Sequence, residues 1–181
     1  MKLPLKAIVP LLAVVALTAA CNPFGVSSRE RLPEDPRFAE FTFDSDNKPT
    51  VQERTDSFNE RWPGTQATEG HVTIEYSPSD PFPNPDPELW VTGVATVPDE
   101  TITALMEGTT SSALLPGIYP GLYQYVPQDC HFSTIDPTHA DKTLKGDNTQ
   151  VNEDFTYLPF KEIAASRDCH LVVLTAIGFS D

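Results

Sequence analysis

The sequence predicts an α+β domain with a mainly antiparallel sheet and two or three short helices. Strand-like runs of alternating or continuous apolar residues lie at 71–76, 89–97 and 169–177. Helical patterns lie at 50–62 and 98–107, each with starting and terminating residues. Helices that cover one face of an antiparallel sheet are a common arrangement for such a mixture of elements. One domain of about 130 residues is large enough to bury a proper core.

The first helix is predicted by a capping pattern and by one apolar face. The stretch Thr50-Val51-Gln52-Glu53 has the form of a capping box, and Pro63-Gly64 ends the pattern. Apolar or small residues recur between them at helical spacing, namely Val51, Thr55, Phe58 and Trp62. We expect a short amphipathic helix that packs against the sheet.

A proline-rich loop is predicted between the first two strands. His71–Tyr76 alternates with period two, and Leu89–Val97 is a longer strand candidate. Five prolines separate these strands, which favours a stiff, extended connection rather than a tight turn. The loop serves as a structural spacer or, alternatively, as a docking loop for a partner through Pro83 and Pro85.

The second helix and an aromatic segment follow. Acidic residues after Pro98 and a glycine at 108 bracket the predicted helix, and 109–113 is expected to be a loop. The segment 117–127 is dense in aromatic residues and has no clean period, which favours buried packing. If it is exposed instead, its tyrosines would form a hydrogen-bonding apolar patch for a protein or sugar partner. These residues are Tyr119, Tyr123 and Tyr125.

The C-terminal part is predicted to add further strands. Cys130–Ile135 and 155–160 are strand candidates, with a polar loop at 136–152 between them. Residues 161–166 indicate a helical turn. The continuous apolar run Cys169–Ile177 indicates a buried strand in a central position of the sheet.

The chain is strongly acidic. Its formal net charge is −14, and loss of residues 1–20 would remove Lys2 and Lys6 but no acid, which leaves a net charge of −16. Such a surface repels nucleic acid and anionic headgroups, so neither is an expected partner. A solvated acidic surface is the simplest interpretation, and binding of cations or a basic partner is the alternative.

The N-terminal residues have the three parts of a signal peptide. Lys2 and Lys6 form a charged start, the apolar run 7–17 follows, and small residues lead to Cys21. A membrane-spanning helix needs roughly 20 apolar residues, whereas this run is shorter and contains Pro10. We therefore expect the chain to be exported.

The stretch Leu17-Thr18-Ala19-Ala20-Cys21 resembles the lipobox of bacterial lipoproteins. The resemblance implies a signal peptide over residues 1–20 and a diacylglyceryl group on the Cys21 thiol. It also implies a location on the extracytoplasmic face of the cell membrane, where two or more acyl chains make anchoring stable. In length and acidity the chain is also similar to actinobacterial lipoproteins. No cofactor beyond the covalent lipid is expected.

One departure from the lipobox leaves an alternative open. Thr18 stands where the family favours leucine, and Leu17 is displaced one position upstream. Ordinary signal peptidase accepts small residues such as Thr18 and Ala20, and its cleavage would leave Cys21 free. A free thiol at an exposed, oxidised N-terminus would be a liability, which favours lipidation.

A tether and a domain follow the anchor in this prediction. Residues 21–49 are rich in Pro, Ser, Asp, Glu and Arg, with four scattered phenylalanines, and are expected to be a flexible tether. Such a coil would span about 30 Å r.m.s.. The α+β domain is then residues 50–181.

The lipid on Cys21 leaves two other cysteines, which are expected to pair. In an exported protein Cys130 and Cys169 would form one disulfide. The closed loop of about 40 residues gives roughly 3 to 4 kcal/mol of stabilisation in the chain-entropy model.

Each of these cysteines precedes a histidine. If the two strands are neighbours, alternation puts His131 and His170 on the face opposite the crosslink, roughly 7 to 8 Å apart at Cα. Such a pair suggests copper or zinc binding if a carboxylate such as Asp129 or Asp168 lies nearby, although both aspartates are expected on the disulfide side. The simpler interpretation is two hydrogen-bonded or solvated strand residues.

The leading functional prediction is a non-enzymatic envelope lipoprotein. The sequence lacks GxSxG, HExxH, Walker and GxGxxG motifs. We therefore expect a binding or assembly role toward another envelope component or membrane complex, with the membrane itself contacted through the lipid. The alternative is a metal-binding or redox envelope protein that uses His131 and His170.

Overall fold

In the computed structural model, which describes residues 33–78, 88–145 and 158–179, seven strands form one sheet. All neighbouring strands are antiparallel. The strands are β1 (Gln52–Glu53), β2 (Glu69–Tyr76), β3 (Glu88–Thr96), β4 (Thr109–Thr110), β5 (Phe132–Ile135), β6 (Phe160–Ser166) and β7 (Leu171–Phe179). Their spatial order is β1-β2-β3-β7-β6-β5-β4. The prediction of a mainly antiparallel sheet is confirmed.

Three α-helices and two 3-10 turns accompany the sheet in these residues. The α-helices are α1 (Asp56–Asn59), α2 (Asp99–Met106) and α3 (Pro137–Leu144), and the 3-10 turns are Pro63–Thr65 and Pro120–Tyr125. None of these helices is long and apolar enough to cross a membrane.

Strand β7 lies in the middle of the sheet, as its continuous apolar sequence predicted. It pairs with β3 from Thr96↔Leu171 to Glu88↔Phe179 and with β6 on its other side. Residues 172–176 are almost inaccessible to solvent. An antiparallel strand with such a pattern requires that both faces of the sheet be covered.

The helices cover one face of the sheet. Phe58 of α1, Ile102 and Leu105 of α2, and Leu144 of α3 are fully buried in one cluster with alternate residues of β3 and β7. The ring of Trp62 stacks on that of Phe160 with centroids 4.8 Å apart. This large cluster is the main core of the domain.

Irregular segments cover the other face. Buried packing was predicted for 117–127, whereas the cover by residues 35–44 was not predicted. The segment 115–126 contributes Ile118 and Leu122, which pack with Val94 and Val173 of the central strands. The second segment is residues 35–44, which we name the N-terminal strap. It adds Phe38 and the partly buried Phe41 to the same cluster.

The N-terminal strap is held by backbone pairing and by aromatic stacking. Phe38 forms a parallel bridge with Leu115, and its ring stacks on Tyr123 at a centroid distance of 4.4 Å. Phe41 and Phe43 contact the ring of Trp90 at 5.5 and 5.6 Å. The prediction of a flexible tether is therefore wrong for this part of 21–49, because its phenylalanines bury aromatic surface on the sheet. The folded unit begins well before residue 50.

A row of polar side chains crosses the sheet beneath the segment 115–126. Thr92, Thr175 and Glu162 are register neighbours on β3, β7 and β6. The Thr92 hydroxyl accepts a hydrogen bond from the Tyr119 amide at 3.2 Å. Gly117 donates its amide to Glu162 at 2.9 Å and accepts from the Thr175 hydroxyl at 3.3 Å. The buried backbone of this irregular segment thus finds its partners in the sheet.

The predicted helix over 50–62 is wrong at its start. Gln52 and Glu53 pair instead with Val72 and His71 as the edge strand β1, and the helix is confined to Asp56–Asn59. Pairing with an exposed edge of β2 competes with the capping pattern and prevails. Thr55 precedes the helix without a side-chain cap.

Three further predictions in the C-terminal half are wrong. Residues 161–166 belong to β6, because pairing with β5 and β7 overrides the helical preference of its alanines. The predicted polar loop 136–152 contains α3, which Asp136 caps by accepting from the His139 amide at 2.8 Å. A short strand, β4, lies within the predicted loop 109–113. Residues 146–157 lie outside the described ranges.

Candidate functional site at the disulfide corner

The predicted disulfide is present. Cys130 and Cys169 are bonded with their Cα atoms 5.8 Å apart and are separated by 39 residues in sequence. The bond joins the residue two positions before β5 to the turn between β6 and β7. We call Cys130, His131 and the turn 167–170, together with the side chains of Ser166 and Asp99 that contact them, the disulfide corner.

The turn that carries Cys169 spans Arg167–His170 between β6 and β7. His170 adopts φ 55°, in the left-handed region, which lets the chain reverse within four residues. Its carbonyl accepts from the Val97 amide at 2.9 Å, which fixes the turn to the end of β3. His170 is therefore a turn residue, and the prediction that it lies on a strand is wrong.

Asp168 is the centre of the hydrogen bonds in the corner. Its carboxylate accepts from the Ser166 hydroxyl at 2.5 Å and from the His131 amide at 3.2 Å, and it contacts Nδ1 of His131 at 2.8 Å. The Ser166 hydrogen bond and then the His131 imidazole hold the pKa of Asp168 well below its ordinary value. Asp168 joins the start of β5 to the β6–β7 turn in parallel with the disulfide.

The second histidine has a different carboxylate partner. Nδ1 of His170 lies 2.8 Å from Oδ1 of Asp99 in the first turn of α2. Both side chains are half exposed or more. This pair fastens the β6–β7 turn to the helix layer.

The two histidines do not form the predicted shared site. Each faces its own aspartate, since His131 lies against Asp168 and His170 against Asp99. The expectation that Asp168 lies on the disulfide side, away from the imidazoles, is also wrong. Within the described ranges, no group of three or more His, Cys, Asp or Glu side chains is arranged to hold a metal ion.

A shallow cavity of about 530 Å³ opens beside His131. Its lining is Met106, Thr109, His131, Ser133, Arg167 and Asp168. The His131 side chain is 92% exposed, and Asp168 fixes its ring through Nδ1. The Ser166 hydroxyl donates to Asp168 rather than to the imidazole, so this serine is not activated by the histidine. The polar contacts of the corner hold chain segments together.

The aromatic segment is largely packed, which agrees with the buried-packing prediction. Tyr119 is only 7% exposed and belongs to the second cluster. Tyr123 stacks on Phe38, and Tyr125 stacks on His71 with ring centroids 3.6 Å apart. Burial raises the pKa of Tyr123. The alternative of an open tyrosine patch is therefore wrong for Tyr119.

Pro83 and Pro85 of the predicted docking loop lie outside the described residues, as does Cys21.

The sequence did not predict that Asp99 contacts His170 or that Ser166 donates to Asp168. The signal was the polar run Arg167–His170 between two apolar strands, which is typical of a tight turn. Such a turn brings its side chains to the ends of neighbouring strands.

Comparisons with protein-family models, with curated proteins and with solved structures found no match to this chain.

Proposed function

We propose that this chain is an exported lipoprotein whose acidic domain binds another component of the cell envelope. In this proposal a diacylglyceryl group on Cys21 holds the domain at the extracytoplasmic face of the cell membrane. The domain acts by binding or assembly rather than by catalysis.

The disulfide is the observation that carries the proposal. Bonds of this kind form and persist in oxidising compartments and are rare in the cytosol. Cys130 and Cys169 are joined to each other. Cys21 is the remaining cysteine of the sequence and follows the signal-like segment, where a lipid would protect its thiol.

The use of polar groups in the corner supports a non-catalytic role. The carboxylate of Asp168 accepts from Ser166 and from His131, and Asp99 contacts His170. These contacts join β5, the β6–β7 turn and α2. The Ser166 hydroxyl and the carboxylates of Asp168 and Asp99 are here engaged in holding the fold.

The N-terminal strap bears on where a partner must lie. With the strap folded onto the sheet, only residues 22–34 separate the anchor from the packed domain. Fully extended, 13 such residues reach at most about 45 Å, whereas the predicted tether to residue 49 would reach about 95 Å. We therefore expect a partner close to the membrane surface.

Fractionation of cells tests the anchor. The wild-type chain is expected in the membrane fraction, and Cys21→Ser is expected in the soluble fraction or as an uncleaved precursor. Ser27→Ala, which changes a nearby small residue, is the matched control and should behave as wild type. Equal membrane association of a cleaved Cys21→Ser chain and the wild-type chain would contradict the proposal. An uncleaved precursor is recognised by its larger mass and keeps its apolar signal segment.

Crosslinking in intact cells tests the binding role. The wild-type chain is expected to give a reproducible adduct with one envelope protein, identified by mass spectrometry. Loss of this adduct with Cys21→Ser would show that anchoring brings the partners together. Recovery of cytosolic proteins alone would count against the proposal.

A further inference from the structure

A second cavity lies at the β4 side of the sheet and shares no lining residue with the cavity of the disulfide corner. Its volume is about 460 Å³, which falls within the range of small-molecule sites. We call it the apolar groove. Its lining includes Leu114, Leu115, Pro116 and Lys161, together with the polar residues Thr110, Thr134 and Glu162.

Several parts of the fold meet at the apolar groove. Ala39 of the strap and the segment 112–116 form one side, and β5, Pro137 at the start of α3, and β6 form the other. Ile135 and Ile163 belong to the main core under the helices and are almost inaccessible, so their paired strands rather than their side chains form the rigid floor. A cavity bounded by paired strands is held open by the fold.

The rim of the groove exposes an apolar side chain. Leu114 is 45% exposed, and within the described ranges only one other large hydrophobic residue, Tyr76, is exposed to this degree. A single exposed leucine is ordinary on a protein surface. Its position at the mouth of an apolar cavity is different, because a ligand in the cavity would cover it.

The hydroxyls and the carboxylate of the groove already have partners. The hydroxyls of Thr110 and Thr134 are 2.9 Å apart, and the Ser112 amide donates to the Thr134 hydroxyl at 3.1 Å. The Glu162 carboxylate accepts from the Gly117 amide. These contacts reduce the capacity of the lining to recognise a polar ligand through hydroxyl or carboxylate groups.

Lys161 differs from the other polar groups of the groove. Its side chain is exposed, and its Nζ lies 4.7 Å from the centroid of the Phe43 ring. A cation–π contact uses no hydrogen-bond donor, so it leaves the ammonium able to bind an anion. In a chain with net charge −14, Lys161 is the one cationic side chain of this lining, and the Glu162 carboxylate beside it accepts from the Gly117 amide.

We propose that the apolar groove binds a small apolar carboxylate, of which a medium-chain fatty acid is the simplest member. The hydrocarbon chain lies against Ala113 and Leu115, and the carboxylate pairs with Lys161. Leu114 closes over the chain at the rim. This inference goes beyond the role proposed above and does not depend on a lipid at Cys21.

Calorimetric titration of the full-length chain with Cys21→Ser, which cannot be acylated at that position, tests the proposal. Three ligands share one ten-carbon chain and differ in head group, namely decanoate, decanol and decyltrimethylammonium, each used below its micelle concentration. Decanoate is expected to bind with one-to-one stoichiometry, about fivefold more tightly than decanol, as a surface ion pair allows. Decyltrimethylammonium is expected to bind more weakly than both.

Substitutions separate the two parts of the site. Lys161→Gln is expected to lower decanoate affinity to that of decanol, whereas Lys161→Arg keeps the preference. Lys142→Gln, which removes an exposed lysine of α3 outside the groove, is the matched control and changes nothing. Leu114→Ser is expected to weaken decanoate and decanol alike. Absence of decanoate binding, equal affinity for the three head groups, or equal effects of Lys161→Gln and Lys142→Gln would overturn the proposal.

Discussion

Two glycines provide the space that Phe58 fills under the helix layer. A Cβ atom built on Gly93 would lie 2.6 Å from Cζ of the ring, and one on Gly70 would lie 2.5 Å from Cε2. The ring is completely buried, so it cannot move aside without disturbing the core. These glycines are required for close packing between α1 and the sheet.

Gly93→Ala is therefore expected to lower the free energy of unfolding by about 2 kcal/mol, the usual cost of an overpacked core. Urea denaturation provides the measurement. The second variant is Phe58→Leu, which shortens the ring side chain. In the double variant the loss should be smaller than the sum of the two single losses. Strict additivity would show that the alanine methyl does not meet the ring.

The lowered pKa of Asp168 predicts that this residue stabilises the fold in a pH-dependent way. Its pKa is lowered in the folded state, so the stabilisation is present above the unfolded pKa of about 3.9 and is lost as pH falls towards the folded pKa. Asp168→Asn should therefore be less stable than wild type at pH 7, with the difference narrowing below about pH 4. Urea midpoints across this range measure the difference. A difference that stays constant with pH would contradict the assigned role.

Among the elements, the N-terminal strap differs most from the prediction, which placed the start of the domain at residue 50. Arg37 donates to the carbonyls of Val126 and Pro127 at 2.9 and 2.8 Å, which pins the start of the strap to the aromatic segment. At its other end the indole N–H of Trp90 donates to the carbonyl of Asp44 at 3.0 Å. The strap is thus part of the second hydrophobic cluster, which covers the face of the sheet opposite the helices.

Removal of the strap is expected to destabilise the domain. A chain that starts at Thr50 would expose Trp90, whereas a chain that starts at Pro33 retains its cover. The shorter chain should show red-shifted tryptophan fluorescence and a lower Tm than the longer one, because a large aromatic surface returns to water. Equal spectra and equal Tm values would show that the strap contributes nothing to the fold.

Elements with strong local patterns were predictable from the sequence. Strands β2, β3 and β7 and helix α2 were predicted within two residues of their observed bounds, because their apolar period and their terminating residues are local features. Strand β6 was not, since alanines such as Ala164 and Ala165 favour helix and only pairing with β5 and β7 makes this segment a strand. The strap was missed because scattered phenylalanines in a Pro-rich stretch have no period.

The candidate site was predictable only in part. The disulfide was predictable because the number of cysteines and the expected oxidising compartment leave Cys130 and Cys169 to pair. The partners of His131 and His170 depend on the left-handed turn at His170, which reverses the chain and moves its side chain off the strand. A non-glycine residue with positive φ gives no clear signal in one sequence.

At the scale of the whole molecule, the disulfide crosslinks the second half of the domain. It closes a loop of 39 residues between the β5 side of the sheet and the β6–β7 turn. Replacement of both Cys130 and Cys169 by alanine is expected to lower the free energy of unfolding by about 3 to 4 kcal/mol. Chemical denaturation measures this loss, and reduction of the wild-type chain should reproduce most of it. A loss below about 1 kcal/mol would mean that the crosslink does not constrain the unfolded chain.

The exported, lipid-anchored state is the central claim for the molecule as a whole, and intact mass spectrometry of the protein from native membranes tests it most directly. We expect the mass of residues 21–181 with a diacylglyceryl adduct and with Cys130 and Cys169 oxidised to a disulfide. A chain that still begins at Met1, or one that carries free thiols and no lipid, would contradict the claim.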